Sequence, residues 1–381
     1  MRRLFLPLLL LLAAPPAAAQ EVSALSSDAS HIAIVDHDTG VLLFCKNCET
    51  PMPPASMSKL MTALLVREKI SKNQIKFDTM LEVSENAWRH GAQSDGSHMF
   101  LDIHSQVAVR DLLDGVIVVS ANDACIALAE GISGSEAAFV REMNQKAKEL
   151  GLTSAHFSNV TGLPDAAHVI SAHDLARLTS YLIKTYPDLY AVYSKPDLTF
   201  NNHTQQNRNP LLGAYPGADG VKTGHTATSG YGLVASAVQD GRRRIVVFNG
   251  LPSQAARARE AQRLMRAAFL EFEAVTLFKK GEQVGAADVW LGGSRTVPLV
   301  AREPIVFGHH KSLEGRLSAQ IVYRGPVMAP VMAGAPIGEL VVQGPDFQPR
   351  RFPLVAGKRV GRRNVFGRAV AGAQVLMSGS P

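Results

Sequence analysis

The pattern of apolar residues changes at Phe272, and this change restricts the fold of the 381-residue chain more than any other feature. Before Phe272, segments with helical periodicity alternate with short apolar runs joined by turns. In residues 274–356, short apolar runs are separated by glycine, proline and charged residues, and helical periodicity is absent. This second pattern is typical of strands. The sequence therefore predicts an α/β (α+β) domain over residues 20–273 and a small all-β sandwich over residues 274–356.

Two predicted hairpins indicate that the sheet of the first domain is antiparallel. Apolar runs at residues 31–36 and 41–44 flank a turn that contains Gly40, and runs at residues 231–237 and 244–248 flank a turn with an Asp-Gly pair. An Asp-Gly turn between apolar runs is a strong hairpin signal, because both turn residues need a positive φ. The segment around Lys222 precedes the second hairpin, so we expect Lys222 on or beside an antiparallel strand.

The first 19 residues have the composition of a secretory signal peptide. Arg2 and Arg3 precede a short apolar run, and an alanine-rich segment ends at Ala19. The run is too short to cross a bilayer, which takes about 20 residues. We therefore predict export to the periplasm after cleavage of residues 1–19, and no later segment is long and apolar enough to span a membrane.

The net charge of +6 comes from the two ends of the chain. Residues 1–20 hold two arginines and no acid, and residues 357–381 hold five cations and no acid; the rest has 32 basic and 33 acidic residues. The body of the protein therefore shows no nucleic-acid footprint. The tail, 357–381, combines its cations with apolar residues, and we predict a basic amphipathic segment that attaches to the outer face of the cytoplasmic membrane.

The three cysteines leave two alternatives open. Cys45 and Cys48 form a Cys-x-x-Cys pair that lacks the second ligand pair of a zinc site, so they either pair in an oxidising compartment or remain free. Cys125 lies within an apolar helical pattern, and we expect it to be a small buried residue.

A serine followed three residues later by a lysine opens the first helical run. Residues at i and i+3 share a helix face, so the amine of Lys59 can reach the hydroxyl of Ser56, which places a nucleophile beside a base. Alone, the spacing is common, and an ordinary helix cap with a solvated lysine explains it as well.

Two further short patterns follow the Ser-x-x-Lys pattern along the chain. The three together, in this order, are more informative than the first one alone. Ser120 and Asn122 follow an apolar run and precede a helix, and Lys222, Thr223 and Gly224 follow about 100 residues later. Residues 84–86 also fit the Ser-x-Asn pattern, but they come only 28 residues after the first serine, and we set them aside.

These patterns identify a resemblance over residues 25–355. The chain resembles the D-alanyl-D-alanine carboxypeptidases of the low-molecular-mass penicillin-binding proteins, the S11 serine peptidases, in PPASMSKLMT, VSENAW, SANDACIALAE, FSNVTGLPD and GVKTGHT. The resemblance implies a serine β-lactamase/transpeptidase-like domain, a β-rich domain and a C-terminal amphipathic anchor. It also implies a peptidoglycan stem peptide as substrate, β-lactams as covalent inhibitors, and chemistry without metal or cofactor.

The resemblance assigns a role to each residue of the three patterns. Ser56 would attack the bond between the last two D-alanines, Lys59 would take its proton, and Ser120 would pass a proton to the leaving nitrogen. The remaining residues would bind substrate: Asn122, Lys222, Thr223, Gly224 and His225. His225 would contribute its backbone N–H, with that of Ser56, to the oxyanion hole, although a side-chain role as base is the alternative. His168 and His173 are expected to be loop and helix-cap residues.

Three other functions compete with this interpretation. A class A β-lactamase would carry a Glu-x-x-Leu-Asn motif between Ser120 and Lys222, and the sequence has none. A D,D-endopeptidase that cuts cross-links uses the same residues. A non-catalytic β-lactam sensor would not need the complete set and would be expected to carry spanning helices.

Overall fold

The computed structural model describes residues 2–6, 25–92, 96–344 and 347–364. The chain divides into two compact units: Ser27–Phe272, here called the αβ unit, and the β unit, which begins at Glu273 and includes the strand β1 (Arg2–Leu6). The predicted signal peptide, 1–19, lies outside the described residues apart from β1.

The αβ unit contains nine strands and eight α-helices among its described residues. Its strands are β2 (His31–Asp36), β3 (Leu42–Lys46), β4 (Met80–Glu82), β5 (Gln106–Ala108), β6 (Asp197–Phe200), β7 (His203–Gln206), β8 (Ala218–Thr226), β9 (Gly230–Gln239) and β10 (Arg242–Leu251). Its helices are α1 (Lys59–Ser71), α2 (Glu85–Ala92), α3 (Val109–Asp114), α4 (Asn122–Ser133), α5 (Glu136–Glu149), α6 (Ala172–Thr185), α7 (Pro187–Ala191) and α8 (Gln254–Leu270).

The main sheet of the αβ unit is antiparallel, with strand order β3-β2-β10-β9-β8. The two hairpin predictions are confirmed: Gly40 has φ 73° between β2 and β3, and Asp240 and Gly241 have φ 49° and 72° between β9 and β10. Because β8 is the edge strand, one row of its backbone groups has no neighbouring strand. The edge of β8 is thus open to an extended ligand.

Both faces of this sheet are buried, which explains why its central strands are nearly continuous apolar runs. Ala33, Val35, Ile245 and Val247 belong to the core that the sheet shares with the helices. Side chains alternate along a strand, so the residues between them point to the opposite face, against which α8 packs. A sheet covered on both sides is a rigid support for residues on its edge strand.

The helical part of the αβ unit surrounds α4. Residues Asn122–Ala129 are buried, and Cys125 among them is fully buried and free, as predicted. The alternative left open for the other two cysteines is decided: Cys45 and Cys48 form a disulfide bond.

The β unit consists of strands and one short 3₁₀ turn, so the all-β prediction is confirmed for its described residues. Its strands are β1, β11 (Phe272–Phe278), β12 (Gln283–Trp290), β13 (Thr296–Ala301), β14 (Ile305–His310), β15 (Ser318–Tyr323), β16 (Val327–Met328), β17 (Pro336–Gly344) and β18 (Phe347–Ala356). A seven-stranded sheet, β1-β15-β17-β18-β13-β12-β16, and a two-stranded sheet, β11-β14, share one core around Leu299, Phe307, Ile321 and Leu340.

The first residues of the predicted basic tail are bonded to the β unit. Val360 and Val331 exchange backbone hydrogen bonds of 2.8 and 2.9 Å, and Arg362 pairs with Gly292. Residues 357–364 are not helical, and residues 365–381, which hold most of the tail's apolar side chains, lie outside the described residues. Across the parts of the chain that the structure describes, we find no helix of the length and apolarity needed to cross a bilayer.

Candidate active site

Ser56 lies in a 3₁₀ turn, Ala55–Ser58, that leads directly into α1. Two glycines allow neighbouring segments of the chain to pack closely against this turn. A Cβ on Gly162 would lie 2.1 Å from the carbonyl oxygen of Ala55, and a Cβ on Gly224 would lie 2.8 Å from that of Pro54. Only glycine fits at such distances, so these two positions bring a loop and the edge strand β8 against the turn that carries Ser56.

The amine of Lys59 is the centre of the site. Its Nζ lies 2.9 Å from Ser56 Oγ and 2.8 Å from Asn122 Oδ1, and it also donates to the carbonyl oxygen of Thr161. A neutral amine has two protons and one lone pair. If the protons go to Asn122 Oδ1 and the carbonyl oxygen of Thr161, two atoms that can only accept, the lone pair is left for the hydroxyl proton of Ser56.

Burial makes this neutral form accessible. Lys59 is 1% exposed, and desolvation, as the main cause, lowers its pKa from 10.5 to about 8. The guanidinium of Arg208 lowers the pKa further, whereas Cys125 and Asp123 act in the opposite direction. At pH 7, one unit below this pKa, about a tenth of the Lys59 amine is neutral and can act as a base.

The Ser120 hydroxyl is available for a new partner. A π-helical turn, Gly115–Val119, ends at Ser120, which adopts a left-handed conformation with φ 65°. Its Oγ is buried and has no hydrogen-bond partner among the described residues. Such a buried and unpaired hydroxyl in a strained backbone is typical of a functional position.

Lys222 lies on β8, as predicted, next to Thr223, which lines a cavity of about 370 Å³ whose wall also includes Ser56 and the cations Arg208 and Arg257. Lys222 is buried, and desolvation, followed by repulsion from Lys59 and Arg208, holds its pKa well below the usual value. Among the described residues no carboxylate pairs with Lys222, Arg208 or Arg257. Unpaired buried cations favour an anionic ligand at this end of the cavity.

Two cations of this cavity were not found from the sequence. From the sequence we expect a helix at about residues 255–272 whose arginines, Arg257, Arg259, Arg263 and Arg266, form a solvated face. The structure confirms this for the last three, which are exposed, but Arg257 is only 5% exposed. Arg257 lies over the ring of Tyr231, 5.5 Å from the centroid, and its side chain lines the cavity. Arg208 carries no local signal, because it lies outside the three patterns, in the loop between β7 and β8.

His225 is held by stacking. Its ring lies 3.8 Å from that of Tyr231, at an angle of 26° between the ring planes. Burial, and then repulsion from Arg257, lowers the pKa of His225, so the imidazole is neutral at neutral pH. Thr223 and Gly224 complete this part of the wall. The structure therefore brings all eight predicted residues together. Six of them line the cavity, and the two lysines, Lys59 and Lys222, are buried beside residues that line it.

A buried lysine hydrogen-bonded to a serine, an unpaired second serine and a cationic cavity form the arrangement that a serine hydrolase with a lysine base requires. The profile of the family described as D-alanyl-D-alanine carboxypeptidase matches residues 18–251, and that of the penicillin-binding protein 5 C-terminal domain matches residues 272–362. The chain belongs to the D-alanyl-D-alanine carboxypeptidase family of peptidases, and it is a hydrolase of the carboxypeptidase class.

Two known proteins are similar to most of this chain, and a third is similar to 63% of it. The D-alanyl-D-alanine carboxypeptidase DacD of Escherichia coli is 37% identical over 339 residues, 88% of this chain and 87% of the relative. The crystal structure of DacD from Francisella tularensis has a TM-score of 0.76 at 31% identity and covers 92% of this chain and 98% of its own. Penicillin-binding protein D2 of Listeria monocytogenes, solved in an ampicillin-bound form, has a TM-score of 0.57 at 32% identity and covers 63% and 97%.

Proposed function

We propose that the protein removes the terminal D-alanine from peptidoglycan stem pentapeptides through an acyl-enzyme on Ser56. The observation that carries this proposal is the position of Lys59, with a lowered pKa and 2.9 Å from Ser56 Oγ. Lys59 Nζ takes the hydroxyl proton as Ser56 Oγ attacks the carbonyl carbon of the penultimate D-alanine. The backbone N–H groups of Ser56 and His225 form the oxyanion hole, and one such donor is typically worth about 10²–10³ in rate.

The second half of the reaction uses Ser120. Its unpaired Oγ is suited to relay a proton from Lys59 to the leaving amine of D-alanine, which carries the proton away as the C–N bond breaks. Asn122 holds Lys59 through Oδ1, and its amide group is free to bind the substrate backbone. Water then attacks the ester on Ser56, which releases the shortened peptide and returns the proton to the site.

The cationic end of the cavity is proposed to bind the terminal carboxylate of the substrate. Thr223 of β8 lines the cavity together with Arg208 and Arg257, Lys222 precedes Thr223 on the same strand, and Gly224 allows the peptide to approach the strand edge. Charge-assisted hydrogen bonds to a carboxylate would satisfy cations that otherwise have no anionic partner. A free carboxylate beside the scissile bond distinguishes the terminal peptide bond, which a carboxypeptidase cleaves, from peptide bonds in the interior of a chain.

A matched pair of arginines on α8 tests this assignment. We expect Arg257→Gln to raise KM for a D-Ala-D-Ala peptide by about 10- to 100-fold, because a desolvated charge pair is lost. Arg259→Gln, an exposed position two residues further along the helix, should leave KM within twofold. Steady-state release of D-alanine measures both. Equal KM values for the two variants would remove Arg257 from the carboxylate site.

The second candidate activity is D,D-endopeptidase cleavage of peptidoglycan cross-links, which uses the same serine and lysine. The buried cations Lys222 and Arg257 favour the carboxypeptidase, because they suit a free carboxylate next to the scissile bond. Incubation of the mature protein with a pentapeptide and with a cross-linked dimer separates the two. Release of D-alanine from the first supports the proposal, and cleavage of the dimer alone would replace it with the endopeptidase.

β-Lactams are proposed to acylate the same serine. Their ring amide and carboxylate reproduce the carbonyl and the terminal carboxylate of D-Ala-D-Ala, and the cavity offers Ser56 to the first and Arg208 and Arg257 to the second. A structural relative is solved with ampicillin bound. Intact-protein mass spectrometry should show an adduct of one ampicillin per chain. The non-catalytic sensor would form this adduct without releasing D-alanine from peptides.

We further propose that the protein is exported and attaches peripherally to the outer face of the cytoplasmic membrane. The exposed Lys358 and Arg359 would face anionic lipid, and the apolar residues of 365–381 would enter the interface. Truncation after Asn364 keeps the bonded residues 357–364. We expect it to abolish co-sedimentation with anionic vesicles and to leave peptide hydrolysis unchanged; full retention by the truncated form would contradict the anchor.

A further inference from the structure

A second cavity, of about 340 Å³, adjoins the first and has no role in the chemistry described above. The two cavities share Gly162, Leu163 and Thr226 as lining residues. The wall of the second is mostly apolar and comes from the segment before Ser56 and from the loop after Gly162: Pro53, Pro54, Ala55, Leu163, Pro164 and Ala166. It is therefore a continuation of the cleft on a side of Ser56 that the cationic cavity does not occupy.

The direction of β8 shows which part of a substrate this second cavity would meet. Thr223 lies beside the proposed carboxylate site, and Thr226, three residues further along the same edge strand, lines the second cavity. Three residues of an extended strand span about 10 Å. A peptide that lies along β8 with its carboxylate at Thr223 therefore places the residue before the two D-alanines near Thr226.

One polar group in the second cavity's wall has no partner. His168 is 2% exposed, and its Nδ1 accepts the backbone N–H of Ser158 at 3.0 Å. The ring is also packed edge-on against Phe157, at 5.6 Å between centroids. Because Nδ1 is an acceptor, the proton of the neutral imidazole is on Nε2, and this N–H has no hydrogen-bond partner among the described residues.

The ring stays neutral throughout the working range. Burial is the main cause that lowers the pKa of His168 to about 4; Asp165 opposes the shift, and repulsion from Lys59 adds to it. A fixed neutral donor in an apolar surrounding selects for an accepting atom, because a buried N–H that is left without a partner destabilises the complex. The carboxylate of Asp165, on the same wall, disfavours a ligand with net negative charge.

From this arrangement we infer that the second cavity binds the side chain of the residue before the two D-alanines, and that His168 Nε2–H donates to an oxygen at its end. The ligand class is an aliphatic side chain that ends in an accepting oxygen without net negative charge, such as an amide, or a carboxylate beside an ammonium group. The inference rests on the proposed function, since it uses the same serine and the same strand edge. His168 acts as a specificity residue and takes no part in the proton transfers.

Two tripeptide substrates that differ only in that oxygen test the inference. Nα,Nε-diacetyl-L-lysyl-D-Ala-D-Ala carries an amide oxygen at the end of its side chain, and the acetylated norleucyl peptide ends in a methyl group. We expect the wild-type protein to have a kcat/KM about three- to tenfold higher for the first, the range of one neutral hydrogen bond. His168→Phe should reduce this ratio to about one, and His168→Gln, which retains an N–H, should restore part of it.

The ratio of the two kcat/KM values is unaffected by a general loss of structure, because misfolding lowers the rates for both peptides together. His168 also holds the loop through Nδ1, so acylation of Ser56 by ampicillin is measured in each variant to report on the integrity of the lysine–serine pair. Equal ratios in wild type and His168→Phe would overturn the inference and leave Nε2 to solvent. If wild type releases no D-alanine from either peptide, it is the proposed function that fails.

Discussion

Ser56→Ala is expected to abolish both D-alanine release and the ampicillin adduct. The hydroxyl oxygen is the atom that forms the ester, and among the described residues Ser56 provides the one hydroxyl to which Lys59 Nζ is hydrogen-bonded. Loss of the nucleophile removes the whole reaction path, so we expect a decrease of about 10⁴-fold or more in kcat/KM. Peptide turnover and intact-protein mass spectrometry measure the two losses independently.

Ser84→Ala is the matched control, because residues 84–86 repeat the Ser-x-Asn pattern by chance. Ser84 Oγ caps the start of α2 by accepting from Ala87 N at 3.0 Å, and it donates to Glu130 at 2.5 Å. Its replacement should cost about 1 kcal/mol of stability and leave kcat/KM unchanged. Activity that is lost in Ser84→Ala and kept in Ser56→Ala would show that we assigned the wrong serine.

Lys59→Met is expected to cause the second largest loss. Methionine fills a similar volume without a proton acceptor, so the fold should persist while Ser56 loses its base. General base catalysis contributes about 10²–10⁴-fold, and we expect kcat/KM to fall within that range. Circular dichroism and a thermal unfolding curve serve as controls for folding. Wild-type rates in Lys59→Met would show that another group takes the Ser56 proton.

The pH dependence of the wild-type enzyme provides an independent test of the role of Lys59. The active form is the neutral amine, so kcat/KM should rise with pH and level off above the Lys59 pKa of about 8. At pH 7, one unit below that pKa, about a tenth of the amine is neutral. Lys59→Met should lose this rising limb between pH 6 and 9. A limb that persists in the variant would have to come from another group, and Lys222, whose pKa is also lowered, is the first to examine.

Local sequence signals predicted the elements that depend on neighbouring residues. The Asp240 turn and the proximity of Ser56 to Lys59 both follow from spacings of at most three residues. The exposure of Arg257 was predicted wrongly for the same reason. An arginine on a charged helix looks solvated unless its tertiary neighbour, here the ring of Tyr231, is known.

The sequence by itself determined the two-domain organisation, the antiparallel sheet and the family, because each depends on local patterns and on the order of short motifs. Only the tertiary structure decided the chemistry of the site. Asn122 and Thr161 are 63 and 102 residues away from Lys59, yet their oxygens orient its amine. The lowered pKa of Lys59 and the unpaired N–H of His168 are likewise consequences of burial. Burial and charge environment arise from packing between distant segments, which no short stretch of sequence encodes.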